Sequence, residues 1–392
     1  MNQHSATAFD VNRRVAIATT TYLGMVGVLS YLIQPGLVQG YVDTLHMSPA
    51  QANDVVGIEM IGVALASTVL ATVGDRIDWR QLLRGALVSA VIGNLASAFL
   101  TKSMLFPALR FVAGLGHGAI ISLSFTFIGL TARPDRNIAI FIVSLQTYGA
   151  AGLFLLPTIL PGFGFAPVFL SFALLAAVGF YLIDEVPKSS QSRSIVSPTA
   201  IQLRVPSILM ALAGVLAYNI AQGVAWTNLA LIGTAAHQPD QTVANDLSIS
   251  QFAAIAGALS SAVLAGFARR GIMLVIGIAG GAASIALLLG FPNGVVFLIA
   301  VCGFNFLCSF ALPFILSAVG DLDLHGRVMG PAVAMQMIGL GVGPILSARL
   351  LSSGSFVQVE LSCIVFFCIS LALLAIPVAQ HELALRTAGR GL

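Results

Sequence analysis

Residues 105–130 read LFPALRFVAGLGHGAIISLSFTFIGL, an apolar run that contains one full charge, Arg110. About 20 apolar residues in a helix cross the ~30 Å hydrocarbon core of a bilayer, so this run predicts a transmembrane helix. A charge inside such a helix costs at least about 2.5–3.5 kcal/mol on insertion scales, and it is usually functional and partnered. We therefore expect a role for Arg110 beyond snorkelling to the nearer interface, which is the alternative.

The rest of the chain has the same character. Hydrophobic residues make up 58% of the 392, charged residues 8%, and the mean hydropathy is +0.97. A soluble domain carries roughly a quarter charged residues, so most of this surface must face lipid. The pattern predicts an all-α membrane protein with twelve transmembrane helices, at 15–39, 52–73, 82–101, 105–130, 138–161, 166–184, 207–233, 248–267, 272–290, 294–318, 329–352 and 356–380.

Charge in the loops predicts the orientation. Fifteen of the 18 Lys and Arg residues lie in the tails and in alternate loops. The positive-inside rule then places both termini and these loops in the cytoplasm. The excess of Arg over Lys indicates a GC-rich bacterial genome, and we therefore expect the protein in a bacterial cytoplasmic (inner) membrane. Because the positive charge is confined to loops, we expect no nucleic-acid partner. All four cysteines fall in apolar runs, and we expect neither a metal nor a cofactor.

Two similar halves are predicted. The Ser- and Pro-containing stretch 185–206 is expected to be a cytoplasmic linker between six-helix bundles at 1–184 and 207–392. The halves share weak matches in order: 27–33 resembles 214–220, Ser48-x-x-Gln51 recurs as Ser248-x-x-Gln251, and the glycine-rich run after Gln146 resembles the run after Gln336. Duplicated halves place a substrate site between them in many secondary transporters.

Two motifs resemble signatures of the major facilitator superfamily. Residues 71–80, ATVGDRIDWR, are similar to its loop signature Gly-x-x-x-Asp-Arg-x-Gly-Arg-Arg at Asp75, Arg76 and Arg80, and differ at positions 71, 78 and 79. The run from Arg110 to Gly118 matches its second signature, Arg-x-x-x-Gly-x-Gly. The resemblance implies two pseudo-symmetric six-helix bundles, and it implies that Asp75, Arg76 and Arg80 form a cytoplasmic latch between them. An ordinary basic loop is the alternative for the first motif.

Proton coupling has candidate residues in the first half. Glu59 is interpreted as the one acid well inside a predicted span, at a depth similar to that of Arg110. We therefore expect a Glu59–Arg110 pair in which protonation of the carboxyl follows its contact with the cation. His117, two turns from Arg110 on the same helical face, is a further candidate for proton transfer; a packing role for it is an equal alternative.

A substrate cavity is predicted from polar and aromatic residues within the spans. Amides and aromatic rings in lipid need partners or water, so a central pocket would satisfy them, with interhelical hydrogen bonding as the alternative. The predicted binding residues are Tyr31, Gln34, Gln146, Tyr218, Gln222, Trp226, Asn305 and Gln336. Such a lining is mostly neutral, which disfavours a strongly cationic substrate and leaves a small anion open.

These features favour a secondary transporter of a small organic solute over an enzyme or a channel. No catalytic cluster or phosphate-binding loop is evident in the sequence, and no ring of like residues suggests a pore. We expect a proton-coupled, monomeric carrier that alternates access across the bilayer. Because loops and tails are short, export of amphipathic compounds is slightly favoured. The alternatives are proton-symport uptake of an organic acid or other nutrient, and a membrane sensor that does not transport.

Overall fold

The computed structural model describes residues 10–73, 77–188, 204–264, 269–290, 292–322, 328–352 and 355–387. Its helices are α1 (Arg14–Gly27), α2 (Leu29–Leu32), α3 (Gln34–Leu45), α4 (Pro49–Val73), α5 (Trp79–Phe99), α6 (Phe106–Gly129), α7 (Pro134–Phe163), α8 (Ala166–Val178), α9 (Val205–Ala235), α10 (Asp240–Leu264), α11 (Arg270–Ala286), α12 (Gly294–Gly320), α13 (Met329–Leu351) and α14 (Phe356–Thr387). A 3₁₀-helix, Gly179–Glu185, extends α8.

Ten segments among the described residues are long and apolar enough to cross a membrane: α4 to α7, α8 with its extension, α9, α10 and α12 to α14. Helix α11 is a shorter apolar helix. Helices α1 to α3 follow one another from Arg14 to Leu45 and together form the first span, which is interrupted twice. Each of the twelve predicted spans therefore corresponds to helical structure, and the predicted fold class is confirmed.

The ends of the spans define two faces of the molecule. The terminal face holds the start of α1 and the end of α14, and the distal face holds the opposite ends, such as the α3–α4 and α9–α10 turns. On the terminal face, Arg13 pairs with Glu185 at 3.4 Å, and Ser207 donates to Gln380 at 2.7 Å. An even number of crossings thus brings the start of α1 and the end of α14 to one face.

Helices pack closely both within each half and between the halves. In the first half α6 packs against α1, α4 and α5, and in the second α14 and α12 pack against α9, α10 and α11. The halves meet where α4 contacts α13, α7 contacts α10 and α3 contacts α9. Glycines allow the closest approaches: a Cβ added at Gly62 would lie 2.5 Å from the Phe111 carbonyl oxygen, and one at Gly341 would lie 3.1 Å from the Ile61 nitrogen.

The second of the two breaks in the first span, at Ile33, lies beside Pro35, which has no N–H to donate to the carbonyl one turn earlier, that of Tyr31. The Ile33 N–H and Trp226 Nε1, at 2.8 Å, donate to this carbonyl, and Gln251 Nε2 donates to the neighbouring carbonyl of Leu32, at 3.1 Å. Unpaired backbone groups are costly within a membrane unless neighbouring helices satisfy them. Side chains of the second half therefore donate hydrogen bonds to the backbone carbonyls at this break in the first span.

The repeat is visible at the distal ends of the two first spans. His46 after α3 and His237 after α9 both adopt left-handed backbone conformations, with φ of 55° and 60°. Such a conformation is uncommon for residues other than glycine, and it is typical of a helix C-terminus. Both halves therefore end their first span in the same way.

The match between Ser48-x-x-Gln51 and Ser248-x-x-Gln251 does not correspond to matching positions in the structure. Ser48 and Gln51 form a reciprocal capping box at the start of α4, with N–O distances of 2.9 and 3.2 Å. Ser248 and Gln251 do not precede a helix, because α10 already begins at Asp240. Ser248 instead donates to the Ala150 carbonyl in α7 at 2.8 Å.

Candidate functional site

Glu59 of α4 and Arg110 of α6 form an ion pair inside the first half. Arg110 Nε lies 3.1 Å from Glu59 Oε2, and Arg110 Nη2 lies 2.5 Å from Glu59 Oε1. The side chains are 1% and 0% exposed, so water does not screen the pair. Gly114, one turn after Arg110, lets α6 approach the Glu59 backbone closely. Arg110 therefore does not snorkel to an interface.

The remaining donors of Arg110 are also used. Nη1 donates to Asn94 Oδ1 at 2.8 Å, Nη2 donates to Ser30 Oγ at 2.9 Å, and the guanidinium carbon lies 4.7 Å from the centre of the Phe169 ring. Residues of four other spans of the first half thus contact the cation that α6 carries. A buried charge is stable only when it is paired and hydrogen-bonded in this way.

His117 connects this network to the space between the halves. Its Nδ1 lies 3.4 Å from Glu59 Oε1, and its Nε2 lies 3.2 Å from Asn94 Nδ2. The same side chain borders a cavity between the two bundles. Both ring nitrogens thus face groups of the network while the side chain borders the cavity, so His117 lies between the cavity and Glu59.

The cavity lies at mid-span between the halves and has a volume of about 280 Å³. Toward the terminal face its lining continues to Ile142 of α7 and Leu312 of α12. Its polar and aromatic lining residues are Tyr31, His117, Phe125, Gln146, Gln222, Trp226, Gln251, Phe304, Asn305, Ser309 and Gln336. Among the described lining residues His117 is the one histidine, and Asp, Glu, Lys and Arg do not occur.

The structure brings six of the eight predicted binding residues to this cavity: Tyr31, Gln146, Gln222, Trp226, Asn305 and Gln336. Gln34 lies elsewhere, because its amide donates to Thr227 Oγ1 at 2.9 Å where α3 meets α9. Tyr218 is fully buried within the second half, where its hydroxyl donates to the Cys308 carbonyl at 2.9 Å. Both expectations are therefore corrected.

Tyr31 and Tyr218 occupy matching places in the sequence repeat but have different surroundings. Helix α9 is continuous from Val205 to Ala235, whereas the first span breaks on both sides of α2, which contains Tyr31. The break changes the direction in which side chains leave the helix. Tyr218 was expected at the cavity from its i, i+4, i+8 spacing with Gln222 and Trp226, and this spacing does not bring it there.

Sequence reasoning missed Gln251 as a cavity residue. Its Oε1 accepts from Gln146 Nε2 at 3.1 Å, and its Nε2 donates to the Leu32 carbonyl. The two glutamines thereby join α7 to α10 beside the cavity. The signal was present as a glutamine in an apolar run, but the predicted start of that span, residue 248, placed Gln251 near the membrane surface.

The polar groups of the cavity fall into two sets. Trp226, Gln146 and Asn305 already hydrogen-bond to the protein; Asn305 Nδ2 donates to Ser250 Oγ at 2.7 Å. Gln222 and Gln336, on the packed helices α9 and α13, have no hydrogen-bond partner among the described residues. These two amides are therefore available to a bound solute.

Hydrogen bonds close the cavity toward the distal face. Asn53 of α4 donates to Asn228 Oδ1 of α9 at 3.0 Å, and Thr234 donates to Gln39 at 3.1 Å. Arg349 at the distal end of α13 pairs with Asp54 at 3.5 Å, so it is not a cation of the cavity. Within the described ranges, the hydrogen bonds between the halves lie at the level of the cavity or distal to it.

The predicted latch lies largely outside the described residues, since Asp75 and Arg76 belong to the gap at 74–76. Arg80 is described, and its contacts stay within the first half. Its Nη1 pairs with Asp184 at 3.1 Å, and its Nε donates to the Val186 carbonyl at 2.7 Å. It therefore anchors the end of the 3₁₀-helix and makes no described contact with the second half.

Two further buried acids lie within the described helices, contrary to the interpretation of Glu59 as the one deep acid. Helix α10 begins at Asp240, which places Asp246 inside it, and Glu360 lies one turn into α14. Both side chains are buried. Neither borders the central cavity.

Two bundles around a mid-membrane polar cavity that is closed on one side define the class of secondary transporters. The sequence model of the Major Facilitator Superfamily matches residues 19–344, and the chain belongs to this family. It is therefore a multi-pass membrane protein of this family.

Among known proteins, the chain is similar to a putative niacin/nicotinamide transporter of Bacillus subtilis, with 28% identity over 43% of this chain and 42% of that protein. It is also similar to a niacin transporter of Acinetobacter baylyi, with 26% identity over 36% and 33% of the two chains. The matched segments thus span less than half of either relative. The crystal structure of a D-xylose-proton symporter superposes with a TM-score of 0.70, at 14% identity, over 94% of this chain and 96% of that one. At this identity the likeness shows the fold alone.

Proposed function

We propose that this protein is a proton-coupled carrier that takes up a small aromatic solute bearing a carboxamide or carboxyl group. The observation that carries the proposal is the mid-membrane cavity, in which two amides without a hydrogen-bond partner among the described residues lie beside aromatic side chains. The names of the two relatives support this substrate class and favour uptake over the export that short loops suggested.

The lining suits such a solute. Tyr31, Trp226 and Phe304 offer aromatic surfaces against which a flat ring can pack. Gln222 and Gln336 can each donate to and accept from the polar group of the solute, because a side-chain amide has both functions. A carboxylate would find no unpaired cation among the described lining residues, since Arg110 is fully occupied by its partners. The geometry therefore favours the neutral carboxamide, or a carboxyl group that enters with a proton.

Glu59, Arg110 and His117 are proposed as the proton-coupling group. A proton that arrives through His117 would neutralise Glu59 and weaken its hold on Arg110, which then bonds more tightly to Asn94 and Ser30. Because these partners come from several spans, the change would alter packing in the first half next to the cavity. Such a change in packing would break the hydrogen bond from Trp226 to the Tyr31 carbonyl and so change the conformation at the break in the first span.

The remaining assignments complete the proposal. The two halves, 1–184 and 207–392, rock about the cavity, with 185–206 as their linker. Asp75, Arg76 and Arg80 act as the latch on the terminal face in the opposite conformation. The protein works as a monomer in a bacterial cytoplasmic membrane with both termini in the cytoplasm, so the described conformation faces inward.

Transport assays in proteoliposomes test the proposal. Radiolabelled nicotinamide and nicotinate serve as probes, with and without an imposed proton gradient, and with protein of known orientation. We expect accumulation driven by inward proton movement. Gln222→Ala and Gln336→Ala should each raise KM about tenfold, the equivalent of one lost hydrogen bond of about 1.4 kcal/mol, with little change in kcat.

Tyr218→Phe is the matched control, because Tyr218 lies outside the cavity and its loss of a hydroxyl should leave KM unchanged. If neither probe accumulates, the substrate class is wrong. If both glutamine variants transport with the wild-type KM, the cavity is not the binding site.

A further inference from the structure

A second cavity, separate from the central one, lies at the distal end of the second half. Its volume is about 270 Å³, similar to that of the central cavity. Ile232 at the end of α9, Leu288 after α11 and Phe356 and Glu360 of α14 form its walls. Gly290, with φ of +86°, turns the chain at its rim without adding a side chain.

Glu360 is the unusual group in this cavity. Its side chain is 4% exposed, and among the described residues it has no hydrogen-bond or ion-pair partner. By contrast, Glu59 at a similar burial has Arg110 and His117 as partners. A buried carboxylate without a partner is costly, so the cavity favours an occupant that brings a compensating positive group.

The other walls limit the chemistry of that occupant. Phe356 precedes Glu360 by four residues, so the two side chains lie on the same face of α14. A carboxylate next to an aromatic ring is a typical arrangement for binding an ammonium group, which gains from both the charge and the ring. Ile232 and Leu288 offer apolar surface, and the described lining contains no basic residue that would compete.

We propose that the Glu360 cavity binds an organic ammonium group carried on an apolar body. Two sources have this chemistry: a free alkylamine, and the ethanolamine headgroup of a phospholipid in the leaflet at the distal face. The site is independent of the proposed transport function, since none of its residues borders the central cavity.

Isothermal titration of the purified protein in an amine-free detergent tests the proposal, with n-hexylammonium as the probe and n-hexanol as the neutral probe of similar shape. We expect saturable binding of hexylammonium and none of hexanol. Glu360→Gln should weaken hexylammonium binding about tenfold or more through loss of a charged partner. Asp240→Asn, which removes an exposed acid on the same face, should leave it unchanged.

A second variant and a second measurement separate the outcomes. Phe356→Leu keeps the apolar wall but removes the ring, and it should weaken binding about threefold to tenfold. Native mass spectrometry then compares retention of phosphatidylethanolamine and phosphatidylglycerol by wild type and Glu360→Gln. If Glu360→Gln retains less phosphatidylethanolamine than wild type does, the ligand is the lipid headgroup. If both proteins retain phosphatidylethanolamine equally and wild type still binds hexylammonium, the ligand is a free amine. Equal binding of hexylammonium by wild type and Glu360→Gln would overturn the proposal.

Discussion

Replacing Glu59 with Gln tests both the packing and the proton-coupling role of the buried pair. The variant keeps the shape of the side chain but removes the charge that Arg110 meets at 3.1 and 2.5 Å. Arg110 retains Asn94 and Ser30, which are neutral acceptors and cannot balance its charge. Breaking a buried pair by removing one partner costs about 3–5 kcal/mol, a large part of a typical stability of about 5–15 kcal/mol.

Chemical unfolding in detergent micelles measures this loss, with two further variants for comparison. Glu382→Gln is the matched control, because Glu382 pairs with Arg269 at 3.5 Å on a partly exposed surface and the same change there should cost at most about 1 kcal/mol. The double variant Glu59→Gln with Arg110→Gln should recover most of the loss, since it leaves no unpaired charge.

The same variants test proton coupling in proteoliposomes. We expect Glu59→Gln and the double variant to lose accumulation driven by a proton gradient while retaining exchange of labelled for unlabelled solute. Unchanged gradient-driven accumulation would refute the role of Glu59 in coupling. A stability equal to that of wild type would refute the reasoning about the buried pair.

Two predictions concern the helix contacts around this group. Trp226→Phe removes the donor to the carbonyl exposed by the break in the first span, and the free energy of unfolding should fall by about 1–3 kcal/mol; a wild-type value would contradict the assigned cap. Gly114→Ala places a methyl group against the Glu59 backbone, and we expect a loss of about 1–3 kcal/mol in the same assay. Gly85→Ala is its control, because a Cβ there meets nothing within 4 Å, and equal losses in both variants would show that close packing is not the cause.

Much of the fold follows from local sequence. The run 105–130 corresponds to α6 at Phe106–Gly129, and the other predicted spans have helical counterparts. The main departures are at the ends, as in α10, which starts eight residues before the predicted 248. The prediction excluded residues 240–247 because this stretch contains polar residues such as Asp240 and Asp246. Polar residues are tolerated, however, where a helix leaves the hydrocarbon or packs against another helix.

The candidate site was predictable to a lesser extent. Arg110 and Glu59 stand out because a charge in an apolar run is rare, and their similar depth was enough to suggest the pair. Gln34 and Tyr218 were misplaced because depth does not determine the direction in which a side chain points. The rotation of each helix about its axis decides that direction, and it depends on packing against helices far away in the sequence.

The sequence by itself determined that this chain crosses a membrane about twelve times and carries a charged group within it. The cost of transferring each segment into lipid depends on that segment alone, so it can be read residue by residue. Only the tertiary structure decided which amides face the cavity, which face is closed, and that Arg80 contacts its own half. These features depend on the rotation and packing of helices far apart in sequence, and no local pattern encodes them.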